Sequence, residues 1–591
     1  MHRALVAALV LCCLLIPPVI GAEQKGHDMT SHEIAMAIDV QARTISSTHT
    51  IIIIYYNKSD AVLEEVLLTW YPQAYASPET VPALVPLAES YPAGFQPGGI
   101  TLITCTLPYE IVDDTVLTVF LDSPLVPDSA VSFTIHYEIV IPETLNRMGY
   151  HDGIIALGNT IPIPYVFEDG IWKTYPYLSR GDPFYSECAN WDLSVAIDAS
   201  WTLGTTGSIT SEESDGSMKT YHIAARSVRD MALALSPHYV EHVVMAGDTA
   251  VRSLSLPEHG TMGRTVAEWT AAAVMLFETL IGPYPYQDLT VAAVHLGGAA
   301  GMEYPQMLFI DVPYYEESNS SMLETIVVHE TAHQWWYGVV GTDQVADAWL
   351  DEALVQHATL LYYENRYAEE HTPFYESYLR GVYRREQDRG LEDILHRPLG
   401  AYPSSRDQIV MAYHKGPLVL DMIRWCIGTE EYLAFLSSVY ATFAFQTLTT
   451  TSLLDMIETA YPGQGIATFL DSLLTESGLP DIAADKAEWD GTTLHIMPAS
   501  DIPCPCDVEV TLRDGSSVRF SNTYTLALPS GSVPVSYELD PRDVFVEADE
   551  TNNIGTMPEK KTGEWNGAAI AIGVALAAAF ILAARRNSRE R

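Results

Sequence analysis

The sequence predicts a multidomain α+β chain: an N-terminal all-β domain, a mainly helical middle domain, a small C-terminal β domain and one apolar helix at the end. Three observations predict it. Short β-branched and aromatic runs separated by turn residues fill the chain to about residue 245. Near Thr265 the apolar spacing becomes helical and stays so to about Pro480. Strand patterns then return, until an uncharged apolar run closes the chain.

In chain order, residues 1–22 combine Arg3, an apolar stretch from Ala4 to Leu15, two prolines and the small pair Gly21-Ala22. That is the make-up of a secretory signal peptide, with an uncleaved N-terminal anchor as the alternative. Residues 23–245 read as the β domain, with strands at Thr50–Tyr56, Val116–Leu121 and Val131–Val140. Residues 246–482 read as the helical domain. Thr265–Ile281 is a helix stopped by Gly282-Pro283, and Val291–His295 is a strand. Helices follow at Ser321–Tyr337, Asp351–Tyr367, Tyr413–Ile427, Glu430–Tyr440 and Ser452–Ala460. Residues 483–550 read as the small β domain, with a hairpin turn at Asp514-Gly515 and a closing strand at Val544–Ala548. Residues 551–566 read as a linker.

Residues 567–584 carry no charge and span roughly 27 Å as a helix, enough for a bilayer core. Trp565 precedes them, and residues 585–591 hold four arginines, a cytoplasmic basic tail. The expectation is a single-pass membrane protein with its bulk outside the cell; a removable sorting tail is the rival. The 76 acidic residues outnumber 31 basic ones, for a net charge of −45, which repels nucleic acid and excludes it as a partner. Seven cysteines over 591 residues make no disulfide framework, and Cys504-Pro-Cys506 lacks a second pair to complete a metal site.

The chemistry concentrates in His329-Glu330-Thr331-Ala332-His333. Residues four apart share a helix face, so both imidazoles can reach one ion. Glu330 sits beside that face, where a carboxylate can take a proton from the attacking water. A hydrolytic zinc needs a third protein ligand. Glu352 offers one, with 18 residues between it and His333, if the chain reverses into an antiparallel helix.

These residues resemble a known family. HETAHQWWYGVVG followed by WLDEA is similar to the zinc motif of the aminopeptidase N-like gluzincins, which also include leukotriene hydrolase. Gly301-Met302-Glu303-Tyr304-Pro305 resembles the family's exopeptidase motif, and Tyr413-His414-Lys415-Gly416 its catalytic-tyrosine segment. Gly181-Asp-Pro-Phe-Tyr-Ser-Glu187 resembles secreted bacterial and archaeal members. The likeness covers most of residues 30–480.

The resemblance implies a thermolysin-like catalytic domain with one zinc per chain, held by His329, His333 and Glu352. It implies that Glu330 activates water and that Tyr413 stabilises the oxyanion. Glu303 would bind the substrate α-ammonium, beside Met302, with Gly301 letting the backbone approach the substrate. Peptides are the implied substrates, cut at the N-terminus. A zinc endopeptidase or other small-substrate hydrolase on the same scaffold, and a surface binding protein with a non-catalytic zinc, remain alternatives. The chain departs from the family in three ways. Tyr304 stands where Asn is usual, the β domain shows no evident second amine-binding residue, and the stretch after Pro480 is too short for a helical solenoid.

Overall fold

The structure is a computed structural model. It describes residues 30–557 apart from 46–49, 58, 60, 176, 179, 368–372, 500–505, 522, 542–544 and 548–550. The expected signal segment, apolar terminal run and basic tail lie outside the described residues. Among the described residues no helix is long and apolar enough to cross a membrane. Two compact units divide the chain after Leu479.

The first unit begins with β structure built on alternation. Thr30–Ala37 and Ala189–Asp198 bury every second side chain, and they pair in parallel at the centre of an eight-stranded sheet. Ala130–Val140 alternates in the same way and carries both Thr50–Tyr56 and Gly99–Cys105 as antiparallel neighbours. Inside this sheet His32 stacks on Trp191 with ring centres 3.7 Å apart. Burial lowers its pKa to about 3, so it is a neutral core residue and not a ligand. A second sheet runs in the order Thr202–Thr205, Leu233–Ser236, Ile154–Leu157, Met148–His151.

The half expected to be catalytic opens with a five-stranded sheet in the order Val240–Ala246, Thr249–Ser255, Asp288–Val294, Met307–Asp311, Gly301–Met302. The boundary expected at residue 245 therefore comes one strand late. The three middle strands are parallel to one another, and the two outer ones are antiparallel. Asp288–Val294 is apolar almost throughout, as a strand covered on both faces must be. The helix Gly260–Leu280 packs on this sheet, and Gly301–Met302 forms its last edge.

Arg229, from the β half, holds the two halves together. Its buried guanidinium donates to the carbonyls of Ser186, Tyr337 and Gln446, at 2.7, 2.9 and 2.6 Å. Gly341 makes room for it, because a Cβ there would lie 2.1 Å from the guanidinium carbon.

The helices Ser320–Ala332 and Leu350–Tyr367 match the expected pair, with one difference. The first ends at Ala332 and does not run on to Tyr337. The Gly338 N–H turns back to the His333 carbonyl at 2.8 Å, Tyr337 adopts φ of 126°, and Trp336 bridges to Val340. Trp335, Trp336 and Tyr337 are aromatic and buried in that turn, and their run imitates a continuing helix. Tyr413 does not open an α-helix either. It sits in a π-helical turn, Val410–Lys415, that leads into the helix Gly416–Ile427.

The second unit contains a three-stranded sheet and a four-stranded sheet. The Asp514-Gly515 hairpin is as expected: Val508–Leu512 pairs with Ser517–Phe520, and Gly515 takes φ of 86°. The closing strand is Ile554–Thr556 on Pro534–Leu539, inside the stretch read as linker. The 545–546 pair belongs to no strand.

Candidate metal and active site

Two helices and one sheet edge converge on the site. His329 lies in the last turn of Ser320–Ala332, and His333 caps that helix. After the reversing turn, Glu352 returns in the first turn of Leu350–Tyr367. Glu352 Oε2 stands 3.4 Å from His329 Nε2 and 3.6 Å from His333 Nε2. This oxygen is buried and has no hydrogen-bond partner. A carboxylate oxygen taken out of water and left unpaired is costly, and a cation between the three donor atoms removes that cost. Two imidazole nitrogens and one carboxylate oxygen are also the ligand set of a hydrolytic zinc with a fourth position open. The residues fit one zinc ion per chain.

The ligands are held from behind. His333 Nδ1 faces the Trp336 carbonyl at 3.1 Å, which leaves Nε2 free for metal. Tyr413 donates to Glu352 Oε1 at 2.6 Å, and its ring stacks beside His329. Burial, with Glu352 next, holds the Tyr413 hydroxyl well above the usual phenol range, so it remains a proton donor. Gly416 lets the following helix approach the Glu352 helix, because a Cβ there would come 2.7 Å from the Ala353 Cβ.

The expected substrate residue Glu303 and the expected base Glu330 lie close to His333. Carboxylate oxygens of Glu303 and Glu330 and a ring nitrogen of His333 lie within 4.8 Å of one another. Glu303 is only 5% exposed and takes a hydrogen bond from Gln344 Nε2 at 3.2 Å. Burial, then the Asp182 charge, pushes its pKa up to about 8, while His333 opposes the shift. Burial also raises Glu330 well above the carboxylate range, and Glu303 and Glu352 add to this. Gly301 also makes room for Glu330, whose Oε1 would lie 2.3 Å from a Cβ at that position. Met302 is buried in the apolar core beneath the sheet, so only its backbone faces outward along the edge strand.

Tyr304 points away from this site. Its hydroxyl donates to Asn159 Oδ1 at 2.7 Å, and Asn159 donates in turn to Asp230 Oδ2 at 2.7 Å. Gly158 gives it room, since a Cβ there would lie 2.0 Å from the hydroxyl. The unusual residue thus fills the junction with the β half. His295, His357 and His414 stay outside the site: they pack against His151, Tyr432 and Tyr378 respectively.

Three glutamines escaped the sequence reading. Gln334 donates to the carbonyls of Glu303 and Tyr304 at 3.3 and 3.2 Å, and accepts from the Gln306 N–H at 2.7 Å. It pins the Glu303 loop to the zinc-ligand turn. Gln344 joins Glu303 to Asp351. Gln356 lies one helical turn beyond Glu352. Polar residues inside apolar runs were the available signal, in QWWYGVV for the first and ALVQHATLL for the last.

Residues 267–473 match the peptidase family M1 domain. Aminopeptidase M1-A of Oryza sativa subsp. japonica is 24% identical over 257 residues, 41% of this chain and 28% of that protein. Aminopeptidase M1-B of the same plant is 25% identical over 294 residues, 47% of this chain and 31% of its own length. The mitochondrial aminopeptidase 2 of Saccharomyces cerevisiae is 24% identical over 249 residues, 40% of this chain and 26% of that protein. The chain spans less than a third of the length of these curated relatives. Among solved structures, an M1 zinc metallopeptidase from Deinococcus radiodurans matches with a TM-score of 0.50 and 18% identity, over 76% of this chain and 95% of that one. A form of that enzyme bound to a Tyr-Ser-Ala substrate matches with a TM-score of 0.52 and 16% identity, over 76% and 95%. These likenesses show the fold.

Proposed function

We propose that this chain, an aminopeptidase N-like gluzincin by its peptidase family M1 domain and zinc-ligand set, removes residues from the free N-termini of peptides. One observation supports the N-terminal choice above others: the buried Glu303 carboxylate lies within 4.8 Å of the Glu330 carboxylate and the His333 ring. A carboxylate whose charge is disfavoured when it stands alone seeks a cation. The α-ammonium of a peptide is such a cation, and it is itself costly to bury unpaired. Anchored there, a peptide presents its first carbonyl to the metal and no later one.

A zinc ion held by His329, His333 and Glu352 would supply Lewis acidity, polarising that carbonyl and lowering the pKa of water. The rest falls to side chains of this chain. Glu330 takes the proton of the attacking water and passes it to the leaving amine. Tyr413, kept protonated by its burial, donates to the oxygen that gains charge. The outward backbone of Gly301–Met302, at the open edge of the sheet, can pair with an extended peptide.

Glu303→Ala tests this reading. It should cost about 2–5 kcal/mol in kcat/KM for substrates with a free amine. N-acetylated substrates should be poor for the wild type and no worse for the variant. Comparable wild-type cleavage of acetylated and free peptides at internal bonds would reassign the chain to an endopeptidase. A chelator-insensitive chain without hydrolase activity would point to a surface binding protein.

We further propose that the enzyme works at the cell surface, secreted through residues 1–22 and anchored by residues 567–584 with the basic tail inside. The support is the sequence alone: two apolar segments of suitable length and the terminal arginines. A chain ending before Gly567 should appear in the medium as soluble enzyme. Its retention on membranes would make the N-terminal segment the anchor.

A further inference from the structure

The two zinc-binding histidines differ in what stands behind them. A zinc ion on Nε2 forces the ring proton onto Nδ1, which then becomes a buried donor. For His333 the Trp336 carbonyl, 3.1 Å from Nδ1, already receives it. For His329 nothing does: its Nδ1 is buried and without a partner.

The Glu352 helix carries the missing acceptor. Gln356 follows Glu352 by four residues and so shares the face that carries Glu352 toward His329. Gln356 is buried, and its Oε1 is also without a partner. Its side chain lies beside the His329 ring. The same amide also lies beside the Tyr378 hydroxyl, and an amide can serve an imidazole N–H through Oε1 and a hydroxyl through its NH₂ group at once.

We propose that Gln356 is a positioning residue of the metal site: its Oε1 accepts the Nδ1–H of His329 and so aims Nε2 at the zinc. The inference rests on the zinc reading above. It also makes one helix supply both a ligand and the support for a second ligand, so that Glu352 and His329 are aligned together. Gln356 touches neither substrate nor the reacting atoms; its effect is on the affinity of the site for metal.

The test is zinc affinity of the full-length chain, measured by competition with a chromogenic chelator, alongside the melting temperature of the metal-free protein. Gln356→Leu removes the acceptor at similar volume and should weaken zinc binding about 10–100-fold, the usual effect of losing such a support. Gln356→Glu keeps an acceptor at the same position and should hold zinc as tightly as the wild type or more so. A role in packing alone would lower the melting temperature of the metal-free chain and leave zinc affinity untouched. If Gln356→Leu does not fold, the unbranched Gln356→Met takes its place. Unchanged zinc affinity in the folded apolar variant overturns the inference, and so does equal loss in the Leu and Glu variants. A wild-type chain that holds no zinc overturns the zinc reading itself, together with this one.

Discussion

Gly301→Ala separates the placement of the general base from its chemistry. Gly301 is not held in the left-handed region, so alanine can take its backbone conformation. The difficulty is space. The new methyl would sit 2.3 Å from Glu330 Oε1 and 2.6 Å from both its Cγ and Cδ. Carbon atoms in contact settle at about 3.5–4.0 Å, so the carboxyl arm must retreat by about 1 Å. It has little freedom to do so without consequence, because it is buried against Glu303 and His333. A misplacement of about 1 Å in a catalytic group can cost about 10²-fold, or roughly 2.7 kcal/mol of barrier. The three zinc ligands are untouched, so zinc content should stay at one per chain. The assay is kcat on an aminoacyl p-nitroanilide, with metal analysis and a melting curve as controls. Glu330→Gln, which removes the charge without moving the arm, should lose about 10²–10⁴-fold and sets the floor. A folded, zinc-loaded Gly301→Ala enzyme with wild-type kcat would show that the close approach at Glu330 has no part in catalysis.

Three further expectations rest on single contacts. Tyr413→Phe removes a donor to developing charge and should lower kcat more than KM, by about 10²–10³-fold; near-normal kcat would make the residue merely structural. His333→Ala should abolish stoichiometric zinc in metal analysis, and undiminished zinc would refute the ligand set. Asp230 gives a pH signature: burial raises its pKa from 3.8 to about 7, against the hydrogen bonds from Met231 and Asn159. The unfolded chain releases this proton first, so stability falls as pH rises from about 4 to about 7, by at most about 4 kcal/mol. Asp230→Asn should flatten that slope in urea titrations at pH values across the window, and an unchanged slope would place the proton elsewhere.

The elements that carry the chemistry were legible because each has its own periodicity. The i, i+4 spacing of His329 and His333 and the helical start at Glu352 are local properties, and a short reversal is all that joins them. What escaped depends on distant partners. The helix was read through Tyr337 because buried aromatic residues look alike in a turn and in a helix. Tyr304 was noted only as a departure from the usual Asn, since no local pattern says that Asn159 and Gly158, nearly 150 residues earlier, receive it. Gln334, Gln344 and Gln356 lack charge, so net charge did not mark them, although Gln334 and Gln356 are polar groups in apolar runs. The last strand was placed at Val544–Ala548, whose two ends lie outside the described residues, whereas the short Ile554–Thr556 pairs with Pro534–Leu539.

Arg229 sets the unit of folding. Three carbonyls, one from the β half and two from the catalytic half, share one cation. Tyr239 adds a bond across to Ala293, and Tyr286 one back to Ser227. Excising residues 267–473, the stretch that matches the peptidase domain, would strip these partners away and expose the core of the five-stranded sheet. That fragment is therefore not an autonomous folding unit. Melting of the two halves should be one cooperative event, and a lesion at Arg229 should split it into two.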